Sequence, residues 1–415
     1  MKKITALALT AAMLVSAAAL SACGDQDNKK ENTSQGSVSE KSEASKKAEE
    51  SKKDEVKDIS TVESKPDLSS AQLSEINNAL NKYKEIPEFS SVSNTIAARD
   101  ISKGKTVTLI PDNSNYTFTQ LVTNQFTGAA KSAGFEKVIA GESNGTPAFY
   151  NEALEKSIGQ SDIIIMYGDI NKDDIAVSIE TAQANGIKVL SAGNVGKDEK
   201  DHYVDYTIPI NYQLAGKLLA DWPISKNKGK VNALAINNSD STLSSSIYKG
   251  FSEEFKKFVT SGYCTVLSGS AIEVGNGMSA KIKQAIDKDP NLNYIVVLDE
   301  GMISDAISAV EQSGKKIKII STGGGMAAFD AAENDKLEML VAQSYEWTSY
   351  AMVDYALRVL DKSELPAEQD VPVRIVTSSS IKTDMENNTY SNIEGFYEIC
   401  FGANFVTGYN RLWSL

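Results

Sequence analysis

The chain has 415 residues, of which 41% are hydrophobic and 23% charged, with a formal net charge of −13 and a single histidine. An acidic surface repels phosphate backbones and anionic headgroups, and no basic cluster with interleaved aromatic residues occurs, so nucleic-acid binding is excluded. The lone histidine, His202, lies in the polar stretch "GKDEKDHYVD", which is typical of a surface residue. Catalysis by a Ser-His or Cys-His pair would depend entirely on that residue, and this argues against an enzyme.

The first 22 residues are typical of an export signal, with a basic "MKK", a short apolar run and small residues before a cysteine. The stretch "LSAC", Leu20 to Cys23, resembles the lipobox of bacterial lipoproteins, in which the cysteine thiol is lipidated and cleavage occurs before it. An ordinary secretory signal is the alternative, and a retained membrane span would need about 20 apolar residues. Cleavage removes Lys2 and Lys3 and no acidic residue, so the remaining chain carries −15. We expect an extracytoplasmic protein that is anchored to the cell membrane through Cys23.

Two segments precede the main fold. Residues 23–68 are charged and nearly free of large apolar groups, which predicts a disordered tether with a reach of about 35–40 Å. Residues 69–103 contain Leu73, Ile76 and Leu80 at helical spacing, which predicts a short helix that packs against the main domain.

From residue 104 onward, short apolar strands alternate with helical stretches. The predicted strands are "KTVTLIPD", "KVIAG", "DIIIMYG", "KVLSAG", "KVNALAIN", "CTVLSG", "NYIVVLD" and "KIKIIST". Such alternation favours an α/β fold with parallel sheets covered by helices, and its length favours two similar lobes. Ligands of such sheets bind at the carboxyl ends of the strands.

The glycine run "STGGGM", residues 321–326, follows the last of these strands and precedes a predicted helix, "AAFDAAENDKLEML". Free amides at a helix start can hold an anion, but the run lacks the spacing of a phosphate-binding loop, and so does "GNGMSAK". A tight turn beside a ligand cavity is the favoured interpretation, and a phosphate cradle is the alternative.

Three further features bear on the chemistry. The carboxylates of Asp299 and Glu300 follow a strand, where they either face a ligand or favour a helix start. The stretches "NSNYTF" and "QSYEWTSY" place aromatic rings and amides after two strands, which suits a flat polar ligand such as a sugar, although core packing explains each ring equally well. Cys264 and Cys400 are predicted to be separate buried thiols in strands rather than a disulfide, and no spacing suggests a metal site.

The order of these motifs resembles the type 1 periplasmic-binding-protein superfamily, the ribose- and galactose-binding-like proteins of ABC importers. The resemblance runs from residue 104 to about 380 and includes "IPDNSNYTF", "NYQLAG", "YKGFSEEF", "VVLDEGMISDAISAVEQSGK", "IISTGGG" and "VPVRIV". The lipobox and tether fit Gram-positive members of that superfamily.

The resemblance implies a monomeric receptor without a cofactor, in which two Rossmann-like lobes are joined by three hinge crossings and enclose the ligand between them. The first lobe would comprise residues 104–209 and 344–366, the second 210–343 and 367–385, and residues 386–415 would form a C-terminal extension. The ligand would be a small sugar-like molecule, delivered to an ABC transporter permease after the lobes close. The implied ligand-contacting positions are Asn115, Tyr116, Phe118, Asp169, Asn194, Asn211, Ser245, Asp299, Gly323, Gln343 and Tyr345.

The sequence departs from the superfamily pattern at three ligand-facing positions. Ser245 stands where sugar binders usually carry an arginine, Asp299 where an asparagine is common, and the glycine run where an aspartate is usual. The run therefore either enlarges the cleft or offers backbone N–H groups. The open alternatives are a sensor that presents its ligand to a chemoreceptor or kinase, a binder of nucleosides or anionic compounds, and an exported enzyme.

Overall fold

The computed structural model describes residues 57–62, 65–90, 93–115, 117–168, 172–193, 201–270, 273, 277–366, 371–388, 396 and 399–415. Cys23 and the rest of the export signal lie outside these residues. None of the helices in the described part of the chain is both long and apolar enough to span a membrane.

The first lobe is built on a five-stranded parallel sheet in the order β3-β2-β4-β5-β6. Its strands are β2 (Thr106–Pro111), β3 (Lys137–Ala140), β4 (Ile163–Tyr167), β5 (Lys188–Ala192) and β6 (Tyr206–Ile208). The helices that cover it are α3 (Thr117–Ser132), α4 (Pro147–Ser157), α5 (Ala176–Ala184) and α11 (Tyr345–Asp361). The central strands are continuous apolar runs because helices bury both of their faces.

The second lobe is built on a seven-stranded sheet in the order β1-β8-β7-β9-β10-β11-β12, in which the five inner strands are parallel and the two edge strands antiparallel. Its strands are β1 (Ile59–Val62), β7 (Lys230–Asn238), β8 (Ser261–Gly269), β9 (Tyr294–Val297), β10 (Lys318–Gly323), β11 (Met339–Gln343) and β12 (Val373–Val376). Its helices are α1 (Ser70–Lys82), α6 (Tyr212–Asn227), α7 (Thr242–Phe258), α8 (Met278–Lys288), α9 (Ile303–Ser313), α10 (Met326–Glu333) and α12 (Ser378–Asn387).

The α/β architecture predicted from the strand–helix alternation is confirmed, and each predicted strand is present. The chain passes between the lobes after β6, after β11 and again after α11, because β11 and β12 pair in the second sheet while α11 packs on α3. One predicted helix is too long. Helix α10 ends at Glu333 and Met339 begins β11, because Asp335 adopts a left-handed conformation (φ 57°) and "MLVAQ" pairs with β10 in the sheet interior.

The predicted tether is wrong over its last residues, because the fold already begins at residue 57. Ile59 is buried and pairs with Cys264 of β8, and the Asp58 carboxylate accepts the Val266 amide at 2.7 Å. The β-branched residues of "ISTV" suit a strand, but their partner lies some 200 residues away in the sequence. The helix predicted in residues 69–103 is confirmed as α1, which buries Ile76 and Leu80 against the second lobe.

The described segments before β2 and after α12 contact both lobes. In the second lobe, the Ile375 amide of β12 donates to the Tyr83 carbonyl, and Arg374 Nη1 donates to the Cys400 carbonyl at 2.8 Å. On the first-lobe side, α2 (Ala98–Ser102) and α13 (Asn404–Leu412) both pack against α11. Cys264 and Cys400 are buried free thiols, as predicted, but Cys400 lies in a turn and not in a strand.

Candidate functional site

The carboxyl ends of the strands of both sheets meet in one region, which we call the cleft. Strand β4 of the first lobe ends at Tyr167, and Glu300 follows β9 of the second lobe. Burial raises the pKa of the Tyr167 phenol well above its usual value, and the neighbouring Tyr212, Asp112 and Glu300 add to that rise. The Gly324 amide of the second lobe also donates at 3.3 Å to the hydroxyl of Tyr345, the first residue of α11, so the two lobes are in contact at the cleft, where ligands of parallel sheets bind.

The first-lobe wall of the cleft is a set of cross-linked loops after β2 and β3. The Asp112 carboxylate accepts the Asn113 amide at 2.7 Å, and Ser143 Oγ donates to the Asp112 carbonyl at 2.9 Å. The Tyr150 hydroxyl donates to that same carbonyl. Asn115 is exposed at the end of this wall, with its amide donated to Asn113 Oδ1 at 3.0 Å. These hydrogen bonds fix the loop that the sequence predicted to contact a ligand.

The glycine run forms the turn between β10 and α10, and its amides do bind an anion. That anion is the carboxylate of Glu300: its Oε2 accepts the Gly324 amide at 2.7 Å and the Gly325 amide at 3.1 Å. The Gly324 amide also donates to the Tyr345 hydroxyl, at 3.3 Å. The start of α10 is therefore occupied by a side chain of the protein itself.

The glycines are required by this contact. A Cβ at Gly323 would overlap Glu300 Oε2, and a Cβ at Gly324 would lie 2.5 Å from the Gln343 carbonyl oxygen. Of the two roles that the sequence left open for the run, the structure supports the presentation of amides, and Glu300 fills the space beside them.

Two aromatic side chains predicted to contact a ligand lie side by side. The ring of Phe118 on α3 is 6.0 Å from the ring of Tyr345, the first residue of α11. Phe118 is half-buried and Tyr345 is buried. Burial raises the pKa of the Tyr345 phenol well above its usual value, with Glu300 as the largest charged contributor. The Tyr345 phenol therefore stays protonated at any physiological pH.

Four other predicted residues use their side chains within the protein. Asp299 Oδ2 accepts from Asn238 Nδ2 at 2.8 Å, and Asn211 Oδ1 caps α6 by accepting the Leu214 amide at 3.2 Å. Ser245 Oγ donates to the Ser241 carbonyl at 3.0 Å, and Gln343 Nε2 donates to Thr322 Oγ1 at 2.9 Å. Asp299 follows β9 and Gln343 is the last residue of β11, so both lie at the cleft, whereas Asn211 lies at the first passage between the lobes. Tyr116, Asp169 and Asn194 lie outside the described residues.

Negative charge dominates the described part of the cleft. Asp112, Asp299 and Glu300 lie at the ends of its strands, and Lys172, a buried cation of the first lobe, is already paired with the Asp201 carboxylate at 2.5 Å. Tyr167 was not among the predicted site residues, and Glu300 was considered only as an acid that either faces a ligand or favours a helix start. The tandem acids after β9 were visible in the sequence, but only the adjacency of β9 and β10 places Glu300 on the glycine turn.

A cavity of about 990 Å³ lies at the opposite edge of the second sheet, among Trp222, Arg374 and the start of α12. Two of its charged groups already have partners: Glu338 accepts from Trp222 Nε1 at 2.9 Å, and Arg374 Nη2 donates to Asp384 at 2.7 Å. Because ligands of parallel sheets bind at the carboxyl ends of the strands, the fold favours the cleft over this cavity as the ligand site. Among the described residues, no group of three side chains is arranged to hold a metal ion.

The sequence profile of the periplasmic binding protein domain matches residues 107–364. The chain belongs to this periplasmic binding protein family. Comparison with curated protein sequences gives no match.

Solved structures share the fold of this binding protein at low sequence identity. A solute-binding protein of an ABC transporter from Agrobacterium vitis, bound with α-D-tagatopyranose, has a TM-score of 0.59 and 16% identity, covering 69% of this chain and 99% of its own. GanP, a glucose-galactose binding protein from Geobacillus stearothermophilus, has a TM-score of 0.57 and 16% identity, covering 66% and 98%. A carbohydrate transporter protein from Acidothermus cellulolyticus, in complex with myo-inositol, has a TM-score of 0.56 and 17% identity, covering 68% and 97%. The fold of the chain is that of the solute-binding proteins of sugar ABC transporters.

Proposed function

We propose that this binding protein captures a neutral, sugar-like ligand in the cleft and delivers it to an ABC transporter permease. The observation that carries the proposal is the occupation of the glycine turn by Glu300, because it removes the one site in the described cleft that was suited to an anion. What remains is a set of carboxylates, amides and aromatic rings, which suits the hydroxyl groups and C–H faces of a sugar or polyol. The sugar and polyol ligands of the structural neighbours support the same choice.

The receptor is held at the extracytoplasmic face of the membrane by lipid on Cys23. The support is the "LSAC" motif after a short apolar run, together with a family whose members act outside the cytoplasm. Ligand binding closes the two lobes about the passages after β6, β11 and α11, and the closed form is the one presented to the permease. The protein acts by binding and release rather than by catalysis.

Isothermal titration calorimetry of the full-length protein in detergent tests the proposed ligand class. The neutral probes are D-galactose, D-tagatose and myo-inositol, and the anionic probes are D-glucuronate and glucose 6-phosphate. Thermal unfolding of the same protein should show that a bound probe stabilises the folded state by about 2.7 kcal/mol when its concentration is 100 times its Kd. Recovery of the neutral ligand unchanged is expected, and its turnover would identify an enzyme instead. Binding confined to the anionic probes would contradict the proposal.

A further inference from the structure

Glu300 is held at the cleft by hydrogen bonds to the glycine turn. Its Oε2 accepts the backbone amides of Gly324 and Gly325 in the glycine turn, at 2.7 and 3.1 Å. Gly324, Gly325 and Glu300 belong to the second lobe, whereas Tyr345 begins the helix that packs in the first lobe. The Tyr345 hydroxyl accepts the same Gly324 amide at 3.3 Å, so the turn that orients Glu300 is also in contact with the helix that packs in the first lobe.

The second carboxylate oxygen of Glu300 is available. No donor to Oε1 is found among the described residues, and the side chain is half-buried. We propose that Glu300 is the cleft residue that selects the ligand, with Oε1 accepting a hydrogen bond from a ligand hydroxyl or ammonium group. The inference rests on the proposed function and deepens it, since it assigns the ligand class to one side chain.

A carboxylate with a fixed orientation discriminates in two ways. It forms a charge-assisted hydrogen bond with a donor, which is stronger than one between neutral groups. It also repels a ligand carboxylate or phosphate placed at the same position, which is how a binding site rejects close analogues. Neutral sugars, polyols and amino sugars should therefore bind, and the corresponding sugar acids should be excluded.

The ionisation of Glu300 adds a dependence on pH. Burial raises the pKa of its carboxyl group, the amides of Gly325 and Gly324 and the Tyr345 hydroxyl oppose that rise, and Asp299 adds to it. Of the other groups that face it, Tyr345 on α11 and Tyr167 on β4 are phenols with raised pKa values, so they stay neutral while Glu300 titrates. Protonation places a hydrogen on the carboxyl group and weakens its acceptor strength, so affinity should fall as the pH is lowered through the pKa of Glu300.

The test compares Glu300→Gln with wild-type full-length protein by calorimetry, using D-galactose, D-galactosamine, myo-inositol and D-galacturonate as probes. Glu300→Gln keeps the shape of the side chain and removes the charge, and it should weaken binding of the best neutral probe by about tenfold or more. It should also abolish the loss of affinity at low pH and reduce the discrimination against D-galacturonate. Glu180→Gln, an exposed change on α5, serves as the matched control and should leave affinity within twofold of wild type.

A second pair of variants leaves Glu300 itself in place and tests whether the position of its carboxylate matters. In Gly323→Ala, the added Cβ would overlap Glu300 Oε2 and move the carboxylate, so neutral-sugar affinity should fall in the same direction. Gly128→Ala on α3 is its control, because a Cβ there meets nothing within 4 Å. Melts of all four variants show whether the fold survives.

The outcomes separate the two proposals. If wild-type protein binds neutral probes while Glu300→Gln matches it in affinity, pH profile and discrimination, the role of Glu300 is overturned and the proposed function stands. If wild-type protein binds none of the neutral or amino-sugar probes, the proposed function is overturned and the role of Glu300 falls with it. Weakened binding in both Glu300→Gln and Gly323→Ala, with both controls unchanged, supports the inference.

Discussion

Asp221 on α6 should make the stability of the protein depend on pH. The side chain is only 4% exposed, and its Oδ1 has no hydrogen-bond partner among the described residues. Burial raises the pKa of this carboxyl group from 3.8 to about 7, with Glu254 and Glu75 adding to the rise and Lys257 and Lys217 opposing it. The folded protein therefore keeps a proton on Asp221 at a pH where the unfolded chain has lost it.

The size of the effect follows from this difference in pKa. Between pH 3.8 and about 7 the folded state holds a proton on Asp221 that the unfolded chain has lost. The free energy of unfolding therefore decreases as the pH rises through this range, and Asp221 destabilises the protein least below it. One pKa unit corresponds to about 1.4 kcal/mol, so the two units between pH 5 and 7 cost the wild-type protein about 2–3 kcal/mol. Asp221→Asn cannot ionise and should escape this loss.

Urea unfolding followed by tryptophan fluorescence at pH 5 and pH 8 measures the free energy of unfolding of both proteins. The advantage of Asp221→Asn over wild type should grow by about 2–3 kcal/mol between the two pH values. Glu253→Gln, an exposed change on the neighbouring α7, is the control and should show no such growth. An advantage for Asp221→Asn that stays constant from pH 5 to pH 8 would refute the reasoning.

Two further predictions concern the ends of the chain. Cys23→Ser should release the protein from the membrane fraction when cells are lysed and washed. Ser21→Ala, which keeps a small residue in the motif, is the control and should stay in the membrane fraction. Retention of Cys23→Ser in the membrane fraction would contradict the proposed lipid anchor. Trp413→Ala should lower the free energy of unfolding by about 3–5 kcal/mol, because the indole is fully buried, stacks on Tyr350 and donates to Asp354 Oδ1 at 3.0 Å. Leu415→Ala, at an exposed position, should change it by less than about 0.5 kcal/mol. Equal losses in the two variants would mean that α13 does not stabilise the fold.

The fold could be predicted from the sequence because most of its strands have a recognisable local sequence pattern. Buried parallel strands such as β4 and β9 are short apolar runs between polar helices, and each can be recognised without knowledge of its partners. Strand β1 could not be found in this way, since four residues in a charged stretch gain their stability from β8, far along the chain. The helix predicted after the glycine run was too long for the same reason, because "MLVAQ" becomes a strand by pairing with β10 in the sheet.

The site was only partly predictable for a related reason. Local spacing places Phe118 and Tyr345 after strands, and the structure does bring their rings together. The role of the glycine run depends on the Glu300 carboxylate, which reaches it from the end of the neighbouring strand β9. The sequence shows that both are present but not that they are in contact. The favoured interpretation of the run was a tight turn, with amides that hold an anion as the alternative; in the structure its amides do donate to a carboxylate, but the carboxylate is that of Glu300.

Strand β1 also protects the protein from pairing with its own copies. Without it, the nine residues of β8 would form the long open edge of a six-stranded sheet, and an open edge is a template for strand exchange and aggregation. The strand at the other edge, β12, is only four residues long and lies antiparallel to its neighbour. A shortened protein that begins after residue 62 would therefore tend to form strand-swapped dimers or aggregates, whereas one that begins before residue 57 keeps the edge closed.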